Sequence, residues 1–212
     1  VGAEDVFFEV GPPPAAPPVR LIYLGGFLPL HGVPVLIEAA SKLERRAAQL
    51  PAYRIELVGR GIELEVSRQL AAHLRLEHLE FRGATAYEDA PEVLAAAHVV
   101  LGAFGAGEKA GRVIPHKVYQ GLATGRAVVT GDGEGLREVL IPEQHLIAVP
   151  RGDAAALAEA LERVIGDEAL RRRVAAAGRE RAGEIATPER VGQSLREAFE
   201  DGAHPRGAAK LT

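Results

Sequence analysis

Between Gly107 and Asp132 the chain reads GEKAGRVIPHKVYQGLATGRAVVTGD. Four side chains there could hold an anion: Lys109, Arg112, His116 and Lys117, gathered around Pro115 at the start of a helical run. A helix N-terminus is the positive end of the macrodipole, so cations belong at its other end. Arg112, Val113 and Ile114, just before Pro115, include no Ser, Thr, Asp or Asn to cap the helix. Pro suits a first turn, where its missing N–H is no loss. The N–H groups of His116, Lys117 and Val118 are then left without internal partners. A diphosphate would complete them, and Arg and Lys would add charge-assisted hydrogen bonds. A solvated basic face capped by water is the plainer alternative.

Other polar residues carry weaker signals. Gln120, on the same helix, could reach a ribose hydroxyl beside the phosphates, or simply be a surface residue. Tyr119 reads as packing with a wet hydroxyl. His31, in PLHGV, faces the first loop and could donate to a phosphate, although a lone loop His is more often structural. Asp132 and Glu134, in GDGEG, could hold a sugar hydroxyl or a metal, but such turns carry Asp for backbone reasons, and the turn is preferred. The run RRRVAAAGRER reads as a solvated helix face. There is no H-E-x-x-H, P-loop, G-x-S-x-G or G-x-G-x-x-G motif.

Something must position these groups, and the rest of the chain shows what. Short apolar runs (VRLIYLG, YRIELVG, LEFRG, HVVLGAF, RAVVT and HLIAVP) alternate with segments of helical periodicity. That order predicts crossovers and a parallel sheet of about six strands with helices on both faces, a Rossmann-like α/β domain. Ligands of such sheets sit beyond the carboxyl ends of the strands. The loops Gly25–Gly32, Gly59–Ile62, Gly83–Tyr87 and Phe104–His116 therefore face one crevice. Gly25, Gly26, Gly59, Arg60, Gly83 and Ala84 would bring backbone close to a nucleotide there.

The chain has 212 residues, 25% of them charged, and a formal net charge of −4, which gives no general attraction to nucleic acid. It has no Cys, hence no thiol nucleophile or Cys-based zinc site, and no Met. The missing Met suggests a processed chain or a piece of a longer one. The expected division is a proline-rich segment over 1–18, an interdomain linker or an ordinary flexible N-terminus, an α/β domain over 19–165, and C-terminal helices with a frayed tail over 166–212.

From about Val19 to Ala182 the order of VRLIYLGGFLPLHGVPVLIEAA, YRIELVGRG, LEFRGATAYEDAPEVLAAAHVVLGAF, VIPHKVYQGLATGRAVVTGDGEGLREVL and HLIAVPRGDAAALAEALERVIGDEALRRRV resembles the C-terminal half of group 1 glycosyltransferases. These are retaining enzymes of glycosyltransferase family 4 with the GT-B fold. The resemblance implies a domain that binds a nucleoside-diphosphate sugar. Gly25–Gly26 would approach the diphosphate, Gly59 to Ile62 and Gly83–Ala84 would border the base, and the helix at Pro115 would receive the phosphates. It also implies a missing N-terminal acceptor domain as partner, without which this chain should be inactive; no metal or cofactor is expected if the cations here stabilise the leaving group. A cytoplasmic location follows, with any contact at the inner face of a membrane left to the missing half.

The pattern departs from the family at four places. Where the family has an Arg and a Lys in the first loop, this chain has Gly26 and His31. Where it has two glutamates flanking the helix turn, the first near the transferred sugar and the second near the ribose, this chain has Arg112 and Gln120. One reading is relocated charge, with Lys109, Arg112 and Lys117 replacing the first-loop cations as stabilisers of the leaving group. A nucleotide-sugar epimerase of the same architecture and a non-catalytic Rossmann-like binding module are the alternatives.

Overall fold

A computed structural model describes residues 2–200. The frayed tail expected over DGAHPRGAAKLT lies outside the described residues. The elements follow in chain order: α1 (Asp5–Phe8), β1 (Val19–Leu24), α2 (Val33–Glu44), β2 (Tyr53–Val58), α3 (Leu64–His73), β3 (Leu79–Gly83), α4 (Ala90–Ala95) and β4 (Val99–Leu101). Then come α5 (Glu108–Arg112), α6 (His116–Ala123), β5 (Ala127–Gly131), α7 (Glu134–Arg137), β6 (Ile147–Val149), α8 (Ala154–Gly166), α9 (Glu168–Ile185) and α10 (Pro188–Glu200). All six strands pair in parallel, in the order β3-β2-β1-β4-β5-β6. The order reverses between β1 and β4, so the crevice of this sheet opens where the loops after those two strands diverge.

The continuous apolar strands have a simple cause, since both faces of the sheet are covered. Leu21, Tyr23, Val99, Leu101 and Val129 share one core with Leu36 and Ile37 of α2 and Leu157 and Leu161 of α8. Ile22, Val100 and Val128 point the other way, into a core with Phe7, Leu94, Val118, Leu122 and Ala182. Helix α6 reaches its strands closely because Gly121 has no side chain. A Cβ built there would lie 2.9 Å from Val100 and Val128.

Two buried arginines close helix ends against this sheet. Arg126 donates to the Leu94 and Ala95 carbonyls at the end of α4, to Thr124 O and to Gly11 O. Arg171 donates to the Val164 and Ile165 carbonyls at the end of α8. Cations there satisfy orphan carbonyls and complement the dipole.

The segment read as a linker lies along the domain. Phe7 is fully buried, Ala3 N–H donates to Ala186 O, and Arg179 donates to the carbonyls of Phe8 and Val10. His98 Nε2 meets Pro14 O at 3.0 Å. Leu195 and Phe199 stand exposed on α10.

Candidate functional site

The loops after β1, β2 and β3 and the start of α6 enclose a cavity of about 820 Å³ at the carboxyl edge of the sheet. Backbone bonds stitch its floor together: Gly25 N–H to Val58 O, Phe27 N–H to Arg60 O, and Gly59 N–H to Gly83 O. The loops run so close that a Cβ on Gly59 would fall 1.8 Å from the Gly25 carbonyl oxygen. Gly25 and Gly59 also hold φ values of +151° and +148°, which other residues avoid.

Most of the residues picked from the sequence meet here. Gly25, Gly26 and His31 line the cavity from the first loop, and Gly59, Arg60 and Ala84 from the second and third. Pro115, His116, Lys117 and Gln120 line it from α6. Gly83 ends β3 just before Ala84, and Ile114 sits between lining residues Val113 and Pro115 without lining the cavity itself.

The cations part company. Glu108 to Arg112 form a short helix, α5, that the sequence reading did not foresee. Its geometry brings Arg112 within 3.2 Å of Glu108 in an i,i+4 pair, with the Arg side chain 70% exposed and outside the cavity lining. Lys109, on the same helix, is also exposed. Lys117 does the opposite. The residue is 5% exposed, and its Nζ is buried without a hydrogen-bond partner among the described residues. The ammonium lies 3.7 Å from the centroid of the Tyr23 ring, beneath the Gly25 turn. Burial holds its pKa well below the ordinary lysine value.

The start of α6 differs in one detail from the expectation. Pro115 is the N-cap residue, at φ −63° and ψ 146°, and no side chain caps the helix. Its carbonyl accepts from Val118 N–H at 2.9 Å. The tightened first turn therefore satisfies Val118, and the donors of that turn left open among the described residues are those of His116 and Lys117.

His31 is more constrained than a free loop histidine. Its Nδ1 lies 2.6 Å from the Gly26 carbonyl, which also accepts the Tyr23 hydroxyl proton. Desolvation lowers its pKa, Lys117 adds to that, and the Gly26 contact opposes it. With the Nδ1 proton committed to Gly26, a neutral His31 offers only an acceptor at Nε2. It can donate to a phosphate only as the cation.

Asp132 takes part in a turn, as preferred. Its Oδ1 accepts from Gly133 N–H and its carboxylate pairs with Arg137, which lowers its pKa. Tyr119 is buried in the second core.

Two site residues escaped sequence reasoning. Tyr23 looked like core, yet its ring carries Lys117 and its hydroxyl pins Gly26. Tyr87 lines the cavity and bonds both Gln120 and Glu4. The single signal for it was an aromatic residue in the polar stretch TAYED.

A parallel sheet in this order, with a crevice at the reversal and an uncapped helix aimed into it, defines the Rossmann-like class of ligand-binding domain. Residues 11–181 match the family described as glycosyl transferases group 1, and the chain belongs to that family.

A phosphatidyl-myo-inositol mannosyltransferase of Mycobacterium leprae is 30% identical over 76% of this chain and 41% of its own length. The lipopolysaccharide core biosynthesis glycosyltransferase LpsE of Rhizobium meliloti is 31% identical over 89% of this chain and 49% of its own. The chain thus spans about half the length, or less, of these relatives. In structure it is similar to Anabaena Alr3699/HepE, solved in complex with UDP and glucose, with a TM-score of 0.71. That likeness covers 85% of this chain and 48% of the other at 20% identity. A C-terminal domain of a group 1 family protein (LpcC) from Francisella tularensis gives 0.66, covering 78% of this chain and 84% of that one at 19% identity.

Proposed function

We propose that this chain is the donor-binding domain of a retaining glycosyltransferase that moves a sugar from a nucleoside-diphosphate sugar to an acceptor. The observation that carries the reading is Lys117, whose Nζ, at the wall of the cavity, is buried without a hydrogen-bond partner among the described residues. An isolated buried charge is costly and is tolerated where a ligand completes it. A diphosphate at the start of α6 would take the Lys117 ammonium and the free N–H groups of His116 and Lys117 together. These groups would stabilise the charge that grows on the leaving nucleoside diphosphate as the glycosidic bond breaks. Lys117 thereby takes the place of the first-loop cations that Gly26 and His31 do not supply. Arg112, paired with Glu108 on the exposed α5, is the weaker candidate for that role.

Because protein cations supply the positive charge, we propose no metal requirement; turnover by the intact enzyme that survives a chelator checks this. The described residues that line the cavity include no carboxylate, which weighs against an epimerase needing a carboxylate acid and base there. Acceptor contacts are assigned to a preceding domain, for which the exposed Leu195 and Phe199 offer an apolar landing place. Among the described residues no helix is long and apolar enough to cross a membrane. From the family resemblance we propose a cytoplasmic location, with any contact at the inner membrane face made by the preceding domain.

Calorimetric titration of the chain with UDP, GDP and ADP tests the reading. At least one should bind, and Lys117→Met should weaken it by about 10- to 100-fold, as expected for losing a charge-assisted hydrogen bond. Binding by none of the three would sink the donor site. Unchanged binding by the variant would remove Lys117 from it.

A further inference from the structure

Glu4, Tyr87 and Gln120 form a hydrogen-bonded chain that fixes which way the Gln120 amide faces. The Tyr87 hydroxyl lies 2.6 Å from Glu4 Oε2 and 3.3 Å from Gln120 Nε2. A carboxylate only accepts, so the phenol proton goes to Glu4. The phenol oxygen has lone pairs left and takes the N–H of Gln120. The reversed amide would set two acceptors face to face. One of the two Nε2 protons is committed to Tyr87, which fixes the direction of the amide and leaves Oε1 as an acceptor that no partner engages among the described residues. Gln120 itself lines the cavity and is 6% exposed. Tyr87 is steadied from its other side by Phe7, whose ring meets it edge-on at 6.4 Å between centroids.

We propose that Tyr87 is a positioning residue: held by Glu4, it presents Gln120 as a hydrogen-bond acceptor for a ribose hydroxyl of the donor. The amide then does there what a carboxylate would do, and the N-terminal segment takes part in shaping the nucleoside site. This rests on the donor-site reading above.

The test compares uridine, guanosine and adenosine diphosphates with their 2′,3′-dideoxy forms by calorimetry. The unaltered chain should prefer the ribose form of the nucleotide it binds by about three- to tenfold, the worth of one hydrogen bond. Tyr87→Phe should weaken the ribose form more than the dideoxy form and so bring that ratio toward one. Adding Gln120→Glu to Tyr87→Phe should restore the preference, because a carboxylate has two equivalent acceptor ends and needs no orienting. An unchanged ratio in Tyr87→Phe overturns the proposal. Equal weakening of both nucleotides without rescue also overturns it, since that is what a merely structural tyrosine would do.

A second measurement works without nucleotide. The side-chain NH₂ signals of Gln120 in a nitrogen-15 spectrum should move in Tyr87→Phe and in Glu4→Gln. Signals unmoved in both variants overturn the orientation itself. If the signals move but the unaltered chain binds no nucleotide, the donor-site reading and the ribose role both fall.

Discussion

At the level of single residues, the proposed donor site would make Lys117 a link between stability and binding. Lys117 gains a cation–π contact with Tyr23, worth about 0.5–2 kcal/mol, but has no acceptor to replace its lost hydration. Lys117→Met should therefore raise the thermal midpoint while weakening the nucleotide. Burial holds the folded-state pKa well below 10.5. Between that lowered value and 10.5 the unfolded chain binds more protons than the folded one, so stability rises with pH across the window. Below the window both states are charged and the full penalty of burial stands. Urea unfolding from neutral pH to about pH 10 should show this rise in the unaltered chain and not in Lys117→Met. A bound diphosphate favours the ammonium, so nucleotide affinity should fall as pH rises through the lowered pKa. Calorimetry in buffers of different ionisation enthalpy would read the matching proton uptake.

Among the elements, the first loop and α6 depend on each other. Gly25 turns the chain out of β1 at φ +151°, and a Cβ there would lie 2.6 Å from Lys117 Nζ. Gly25→Ala should destabilise by about 1–3 kcal/mol through backbone strain, and by more through displacing the ammonium. The two parts separate in a double-mutant cycle. Gly25→Ala combined with Lys117→Ala should recover the contact part and keep the strain. Strictly additive losses in urea titrations would refute the claim that Gly25 makes room for Lys117. The same close fit explains why α6 can start beneath the loop: Gly121 lets it settle onto Val100 and Val128.

At the scale of the whole molecule, the N-terminal segment acts as a strap across the second core. Phe7 fills that core, and Arg179 and Arg126 hold the carbonyls of Phe8, Val10 and Gly11. Phe7→Ala should cost about 3–5 kcal/mol if the strap unfolds with the domain. If it opens on its own, the loss is limited to its local opening energy. Hydrogen exchange separates the cases: faster exchange confined to residues 2–14 and α4 marks local opening, and faster exchange throughout the sheet marks a shared core. Either way, Tyr87 loses its edge contact with Phe7, and ribose discrimination should fall with it.

The sheet was legible in the chain because parallel strands buried on both faces must be apolar along their whole length, as LIYL and VVLGAF are. The sheet edge where the cavity lies followed from that topology, and the missing cap before Pro115 marked α6 as an open helix start. What the sequence could not show was which charges share a space. Lys109, Arg112 and Lys117 lie within nine residues of chain, yet α5 turns the first two outward while α6 buries the third. The roles of Tyr23, Tyr87 and Glu4 were hidden for the same reason: each acts on a partner brought near by the fold, and Glu4 and Tyr87 lie 83 positions apart. Local pattern and period thus determined the fold and the edge where a ligand would lie. Burial and hydrogen-bond direction at that edge depend on long-range contacts, and only the tertiary structure decided those.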